Sequence, residues 1–127
     1  MVKRAAAEMV AEANAAVETL DVERAKELVG REDVVFVDVR EGGELATQGK
    51  IPGAVHAPRG LLEFYADPSA PYHKPELGSG KRLVVYCASG GRSALAAKTL
   101  QEMGIGKVAN MLGGFTAWQQ GGGKIER

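Results

Sequence analysis

The sequence predicts an α/β domain of three layers, in which a largely parallel sheet carries helices on both faces. Three observations point there. Val34-Val35-Phe36-Val37 and Leu83-Val84-Val85-Tyr86 are apolar at every position, so each reads as a strand covered on both faces, the pattern of a central parallel strand. Helical patterns alternate with these runs along the chain instead of gathering at one end. Each strong run also stops abruptly, at Asp38-Val39-Arg40-Glu41 and at Ser89-Gly90-Gly91, as βα turns do.

The chain has 127 residues, which bounds it to one domain, residues 1–127, with enough length to bury a core without staples. Sixteen Lys+Arg balance sixteen Asp+Glu, and no long basic run occurs, so nucleic acid and anionic membranes are not expected partners. The single cysteine makes no internal disulfide, and a reactive thiol fits a reducing compartment. Glu8, Glu12 and Glu18 interrupt the N-terminal segment, and no apolar run approaches membrane-spanning length. The expectation is a cytoplasmic protein.

Taken in order, residues 1–18 form a helical extension, with Met9, Ala13, Ala16, Val17 and Leu20 on one face. Thr19-Leu20 forms a brief strand. Asp21 caps a short helix from Val22 to Val29, closed by Gly30. After the Val34–Val37 strand, Glu41 to Lys50 is polar and glycine-containing, hence loop or short helix. Ile51-Pro52-Gly53 is a turn, Ala54 to Ala57 a short strand, and Leu61 to Tyr65 a short helix. Residues 67–81 hold three prolines and two glycines and read as irregular, with Tyr72, His73 and Lys74 candidates to overhang a site. Val108 to Leu112 is the last strand, Phe115 to Gln120 a short helix, and residues 121–127 a glycine-rich tail.

The chemistry concentrates at Cys87. It follows the Leu83–Tyr86 strand and precedes a helical stripe of Leu95, Ala96, Thr99, Leu100 and Met103. A helix start offers N–H groups without intrahelical partners and the positive end of the dipole. Gly90 and Gly91 let successive N–H groups point inward as an anion nest, and Arg92 adds a permanent charge. A thiol in that field has a lowered pKa. A free cysteine with no such loop is more often a small apolar residue. Asp38 and Cys87 both end strong strands, so parallel pairing puts them on the same rim, where ligands gather.

Four stretches give the chain a wider resemblance, running from Leu20 to Glu126. They are Val35-Phe36-Val37-Asp38-Val39-Arg40-Glu41; Gly49-Lys50-Ile51-Pro52-Gly53-Ala54-Val55-His56-Ala57-Pro58; Cys87-Ala88-Ser89-Gly90-Gly91-Arg92-Ser93; and Leu112-Gly113-Gly114-Phe115-Thr116-Ala117-Trp118. In this order and spacing the chain resembles the single-domain rhodanese family. The resemblance implies a rhodanese-like, largely parallel five-stranded sheet flanked by helices, and a sulfurtransferase cycle without metal or organic cofactor. Cys87 is then the nucleophile and sulfur carrier. Ala88, Ser89, Gly90, Gly91 and Arg92 cradle the anion, and Ser93 caps the helix or donates to the loop. Arg92 would neutralise loop charge with Asp38 as its expected ion-pair partner; a local turn acceptor is the other reading of Asp38. Asp38 and Arg40 are the expected loop-supporting residues; Arg40 and Arg59 otherwise either attract an anionic donor or are solvated, and His56 and His73 lack a catalytic constellation.

The implied donor is a small anion, thiosulfate or a persulfide, and the implied acceptor a thiol or protein, with cyanide serving in vitro. Lys50 stands where the family's segment commonly has His. Ala88 is small and neutral where rhodaneses that use thiosulfate well often carry a charge nearby, which keeps a persulfide donor open. Two other readings share the loop. A cysteine phosphatase or arsenate reductase has a similar Cys-to-Arg loop, but related phosphatases place five residues between the two, and Ala88 to Gly91 make four. A non-enzymatic rhodanese-like module that binds a partner often lacks the cysteine that this chain keeps.

Overall fold

The computed structural model describes residues 2–127. Five strands form one parallel sheet in the order β1-β5-β4-β2-β3, with β1 at Glu18–Leu20, β2 at Val34–Asp38, β3 at Val55–His56, β4 at Arg82–Tyr86 and β5 at Val108–Met111. The α/β class and the five parallel strands are as expected. The two uninterrupted apolar runs, β2 and β4, pair in register from Val34↔Arg82 to Asp38↔Tyr86, so the carboxyl ends of both strands share a rim.

The lack of polar alternation has a direct cause. Alternate residues of a strand face opposite sides of the sheet, and here both sides are core. Val37, Val39, Leu83, Val85 and Cys87 belong to one apolar cluster with Leu62, Ala96, Ala97 and Leu100. Phe36, Val84 and Tyr86 belong to the other, with Leu28, Met111, Phe115 and Trp118. The first is roofed by helices α1 (Ala6–Ala16), α4 (Leu62–Ala66) and α5 (Gly91–Glu102), the second by α2 (Val22–Leu28) and α6 (Gly114–Gln120). Trp118 is 1% exposed; burying an aromatic of its size contributes on the order of 4–6 kcal/mol of transfer free energy.

Local signals set the helix ends. Asp21 Oδ1 accepts from Arg24 N at 2.8 Å and starts α2. The polar segment after β2 forms helix α3 (Gly42–Gln48), whose first turn is tied by Glu41 N donating to Glu44 Oε1 at 2.9 Å. On α1 the inward face differs from the expected one. Ala13 and Val17 are buried, Val10 and Asn14 are half-buried, and Met9 and Ala16 are exposed. An alanine-rich helix offers little contrast between its faces, so the inward face keeps Ala13 and Val17 of the expected stripe but runs through Val10 and Asn14 in place of Met9 and Ala16.

Residues 67–81 contain a short 3₁₀ turn, Pro75–Gly78, which sinks Leu77 into the α5 side of the core. Lys74 Nζ donates to His56 O at 2.6 Å and His73 Nδ1 to Tyr65 O at 3.0 Å, tying the segment to α4 and the end of β3. Residues 121–127 turn back along the molecule. Trp118 Nε1 donates to Lys124 O at 2.8 Å, and Lys50 and Glu126 form an antiparallel bridge.

Candidate active site

Cys87 follows the last residue of β4, and α5 begins four residues later. Gly90, the N-cap of α5, has φ +107°, which turns the loop back over the sulfur. Three donors converge on Sγ: Gly90 N at 3.1 Å, Ser93 N at 3.4 Å and Ser93 Oγ at 3.4 Å. Burial pushes the thiol pKa up. The Ser93 hydroxyl and the N–H groups of Ser93, Gly90 and Ser89 outweigh that effect, and the net shift is downward. Cys87 is 1% exposed, whereas Ser89 at the tip of the loop is exposed.

The second glycine pair holds this loop from behind. Phe115 N donates to Cys87 O at 2.7 Å and Thr116 N to Ala88 O at 3.0 Å, so the first turn of α6 takes up both carbonyls. A trans peptide sets its N–H opposite its C=O, so the N–H groups of Ala88 and Ser89 point away from α6. The close approach needs Gly114. A Cβ there would meet Ala88 C, Ala88 O and Cys87 O at 2.6 Å, and its φ is +60°.

The expected ion pair between Asp38 and Arg92 does not form. Arg92 makes a forked pair with Glu44 of α3, Nη1 to Oε1 at 2.8 Å and Nη2 to Oε2 at 3.0 Å. The Arg92 hydrogen bonds hold the Glu44 carboxyl far below its ordinary range, at about 2, against the effect of burial. Arg92 in turn holds its proton more tightly, chiefly through Glu44 and further through the Cys87 charge. Asp38 instead pairs with Arg40, which donates from Nε to Oδ1 at 3.0 Å and from Nη2 to Oδ2 at 2.8 Å, with both side chains fully buried.

Arg40 is therefore not a solvated surface residue. Its Nη2 also donates to Gly49 O at 2.7 Å, and its guanidinium carbon sits 4.2 Å from the Phe115 ring centroid. Burial opposes its charge, but the Asp38 contacts more than offset that and raise its pKa. The pair joins β2, the α3–β3 segment and α6; among the described residues neither member hydrogen-bonds Cys87 or Arg92. Arg59 bridges Glu63 at 3.1 Å and Thr99 Oγ1 at 3.2 Å. His56 Nε2 donates to Arg40 O at 2.7 Å. Among the described residues no group of three or more His, Cys, Asp or Glu is placed to hold a metal, and no helix is long and apolar enough to cross a membrane.

The structure thus brings Cys87, Gly90 and Ser93 together, pairs the adjacent Arg92 with Glu44, and pairs Asp38 with Arg40 apart from the sulfur. Sequence reasoning missed Glu44, Asn110 and Asn14. Glu44 stands three residues after Glu41, a capping-box spacing. Asn110 is the one polar residue in the apolar run of β5 and is fully buried, and its Oδ1, 2.7 Å from Ser93 Oγ, is a second acceptor for the hydroxyl that also reaches Cys87 Sγ.

The chain is similar to several known proteins. The chain is 38% identical over 95 residues to a sulfurtransferase of Allochromatium vinosum, covering 75% of this chain and 80% of that protein. It is 32% identical over 118 residues to a thiosulfate:glutathione sulfurtransferase of Saccharomyces cerevisiae, covering 87% and 84%. A solved structure from Rhodopseudomonas palustris, described as a protein of unknown function and possible tyrosine phosphatase, superposes with a TM-score of 0.95 at 48% identity, covering 99% of this chain and 97% of that one. Residues 21–121 match the Rhodanese-like domain, and with the Cys87 loop, its Gly-Gly brace and the parallel sheet all in place the chain belongs to that family.

Proposed function

We propose that this protein moves a sulfane sulfur from thiosulfate or another persulfide donor, through a Cys87 persulfide, to a thiophilic acceptor. The observation that carries the reading is the convergence of Gly90 N, Ser93 N and Ser93 Oγ on Sγ, in a loop whose net effect is to lower the thiol pKa. In the first step the Cys87 thiolate attacks the outer sulfur of the donor. An S–S bond forms on Sγ, the donor's own S–S bond breaks, and sulfite leaves with the electron pair when thiosulfate is used. The outer sulfur then carries the negative charge within reach of the loop N–H groups. In the second step cyanide, or a cellular or protein thiolate, attacks that outer sulfur and Cys87 leaves as thiolate.

Ala88 to Arg92 line the cradle by backbone, the Ser93 N–H donates to the sulfur and its hydroxyl stands ready for the thiolate, and Arg92, steadied by Glu44, supplies positive potential. Asp38 and Arg40 support the loop. The yeast relative's name supports thiosulfate as donor and glutathione as acceptor; Ala88 supplies no charge of its own for the donor.

Incubation of the reduced protein with thiosulfate or glutathione persulfide, followed by intact mass, tests the reading. One added sulfur is expected, lost to cyanide as thiocyanate and absent in Cys87→Ser. No sulfur from either donor refutes it. The likeness to the possible tyrosine phosphatase from Rhodopseudomonas palustris favours one second reading, phosphate-ester hydrolysis. Cys87-dependent turnover of a small aryl phosphate would support it, against a loop that closes on Sγ at 3.1 Å.

A further inference from the structure

A run of buried polar side chains connects the sulfur to the N-terminal helix. Asn110 lies in β5 with no exposed surface. Its Nδ2 donates to Asn14 Oδ1 of α1 at 2.9 Å and to Gly90 O at 3.3 Å, which occupies both amide hydrogens. The amide is thereby fixed with Oδ1 facing Ser93, whose hydroxyl lies 2.7 Å from it and 3.4 Å from Cys87 Sγ. Around them α1 is docked firmly. Gln101 Nε2 of α5 donates to Ala16 O at 3.0 Å, and Val10 Cγ2 lies 3.8 Å from where a Cβ on Gly91 would sit. The helix precedes residues 21–121, the segment that matches the family.

We propose that Asn110, with its amide oriented by Asn14, is a positioning residue that draws the Ser93 hydroxyl away from Cys87 Sγ and so disfavours the free thiolate relative to the thiol and the persulfide. This deepens the sulfur-carrier reading and rests on it. A single hydrogen decides between the states. A serine hydroxyl donates once, and here two acceptors compete for it. When Sγ is a thiol, S–H donates to Ser93 Oγ and Ser93 donates onward to Asn110, so every donor is used.

When Sγ is a thiolate, the hydroxyl must turn to the sulfur. Ser93 Oγ and Asn110 Oδ1 then face each other at 2.7 Å with no hydrogen between them, and neither residue has solvent exposure to compensate. When sulfur is loaded, Sγ becomes a neutral bridging atom and the charge moves to the outer sulfur, so the hydroxyl stays on Asn110. Only the free thiolate is penalised. The loop N–H groups favour negative charge in either state; the Asn14–Asn110 pair separates those states from one another.

The test is the pH profile of Cys87 alkylation by iodoacetamide in the wild type, Asn14→Ala, Asn14→Asp and Asn110→Asp, with intact mass after glutathione persulfide run in parallel. Asn14→Ala removes the nearer of the two acceptors that orient the Asn110 amide and leaves only Gly90 O at 3.3 Å, so Oδ1 is held less firmly on Ser93 and the hydroxyl is released more readily to the thiolate. The apparent pKa falls by about half a unit to one unit, about three- to tenfold more thiolate at a pH below both values. Asn14→Asp keeps an acceptor for Nδ2 and returns the profile to the wild-type value or above. Asn110→Asp accepts more strongly and raises it. The sulfur-loaded fraction at limiting persulfide falls in Asn14→Ala and is restored in Asn14→Asp.

An unchanged profile in Asn14→Ala overturns the proposal. So does a rise, the result of a merely structural role, because a loosened loop loses its N–H contacts to Sγ. Asn14 is half-buried on the helix surface, so its variants separate this effect from a failure of the buried Asn110→Asp to fold. If the wild type takes up no sulfur, the sulfur-carrier reading fails while the order of alkylation profiles still decides how the hydroxyl is steered. If the wild type loads and that order fails, the steering alone is refuted.

Discussion

Replacing Gly114 by alanine drives a methyl group into the back of the Cys87 loop. The added Cβ would lie 2.6 Å from Ala88 C, Ala88 O and Cys87 O, all backbone atoms. Packed carbon atoms sit about 3.5–4.0 Å apart, so the two segments must part by about 1 Å. They cannot part without stretching the bonds from Phe115 N to Cys87 O and from Thr116 N to Ala88 O, now 2.7 and 3.0 Å. The left-handed φ costs an alanine about 1 kcal/mol, the overpacking about 1–3, and the weakened hydrogen bonds about 1 more, for a total of about 3–5 kcal/mol.

Gly53→Ala is the matched control. Its φ is +77°, but nothing lies within 4 Å of the new Cβ, so only the conformational cost of about 1 kcal/mol applies. Urea unfolding of both variants isolates the contact, and iodoacetamide alkylation against pH reads the loop. Gly114→Ala loses about 2–4 kcal/mol more than Gly53→Ala, and its Cys87 profile moves up toward that of an ordinary thiol. Equal losses, or a large loss in Gly114→Ala with an unmoved profile, would refute the idea that α6 holds the loop in shape.

Two further outcomes follow from the ion pairs. Asp38→Asn leaves the fully buried Arg40 charge without its counter-ion and lowers urea stability by about 3–5 kcal/mol. Glu44→Gln costs only about 1 kcal/mol at neutral pH, because the Arg92–Glu44 pair is partly exposed. Its signature lies in acid. The Glu44 carboxyl sits at about 2 in the fold against an ordinary 4.5, so its contribution is complete above pH 4.5 and is lost as pH falls toward 2. Stability measured across that window therefore falls less steeply in Glu44→Gln than in the wild type.

The sheet was legible because β2 and β4 are buried on both faces and say so at every residue. The nucleophile was legible because strand, cysteine, glycines and arginine are contiguous. What stayed hidden depends on contacts between segments far apart in sequence. Parallel pairing rightly set Asp38 and Cys87 on one rim, but a rim does not choose ion-pair partners. Residues two apart on an extended chain face the same side, and Arg40 reaches Asp38 before any other cation can. Arg92 was then left for Glu44, whose position depends on α3 folding back across the loop. Asn14 was missed because the phase of an alanine-rich helix is poorly marked, and Asn110 because one polar residue in an apolar run is easily absorbed into it.

β4 is bordered by strands on both edges and by core on both faces, and Cys87 is attached directly to its end. Amide hydrogens in such a strand exchange only when the whole molecule opens, whereas exposed loop positions exchange by local fluctuation. The sulfur is thus attached to the most enclosed strand of the sheet, and Ser89 is the exposed position of the loop that covers it. Fraying at an edge strand leaves it undisturbed, and below the unfolding transition an electrophile meets it at the intact loop. The rate at which Cys87 is modified accordingly stays flat in sub-denaturing urea and reads the electrostatics of six residues, not the breathing of the domain around them.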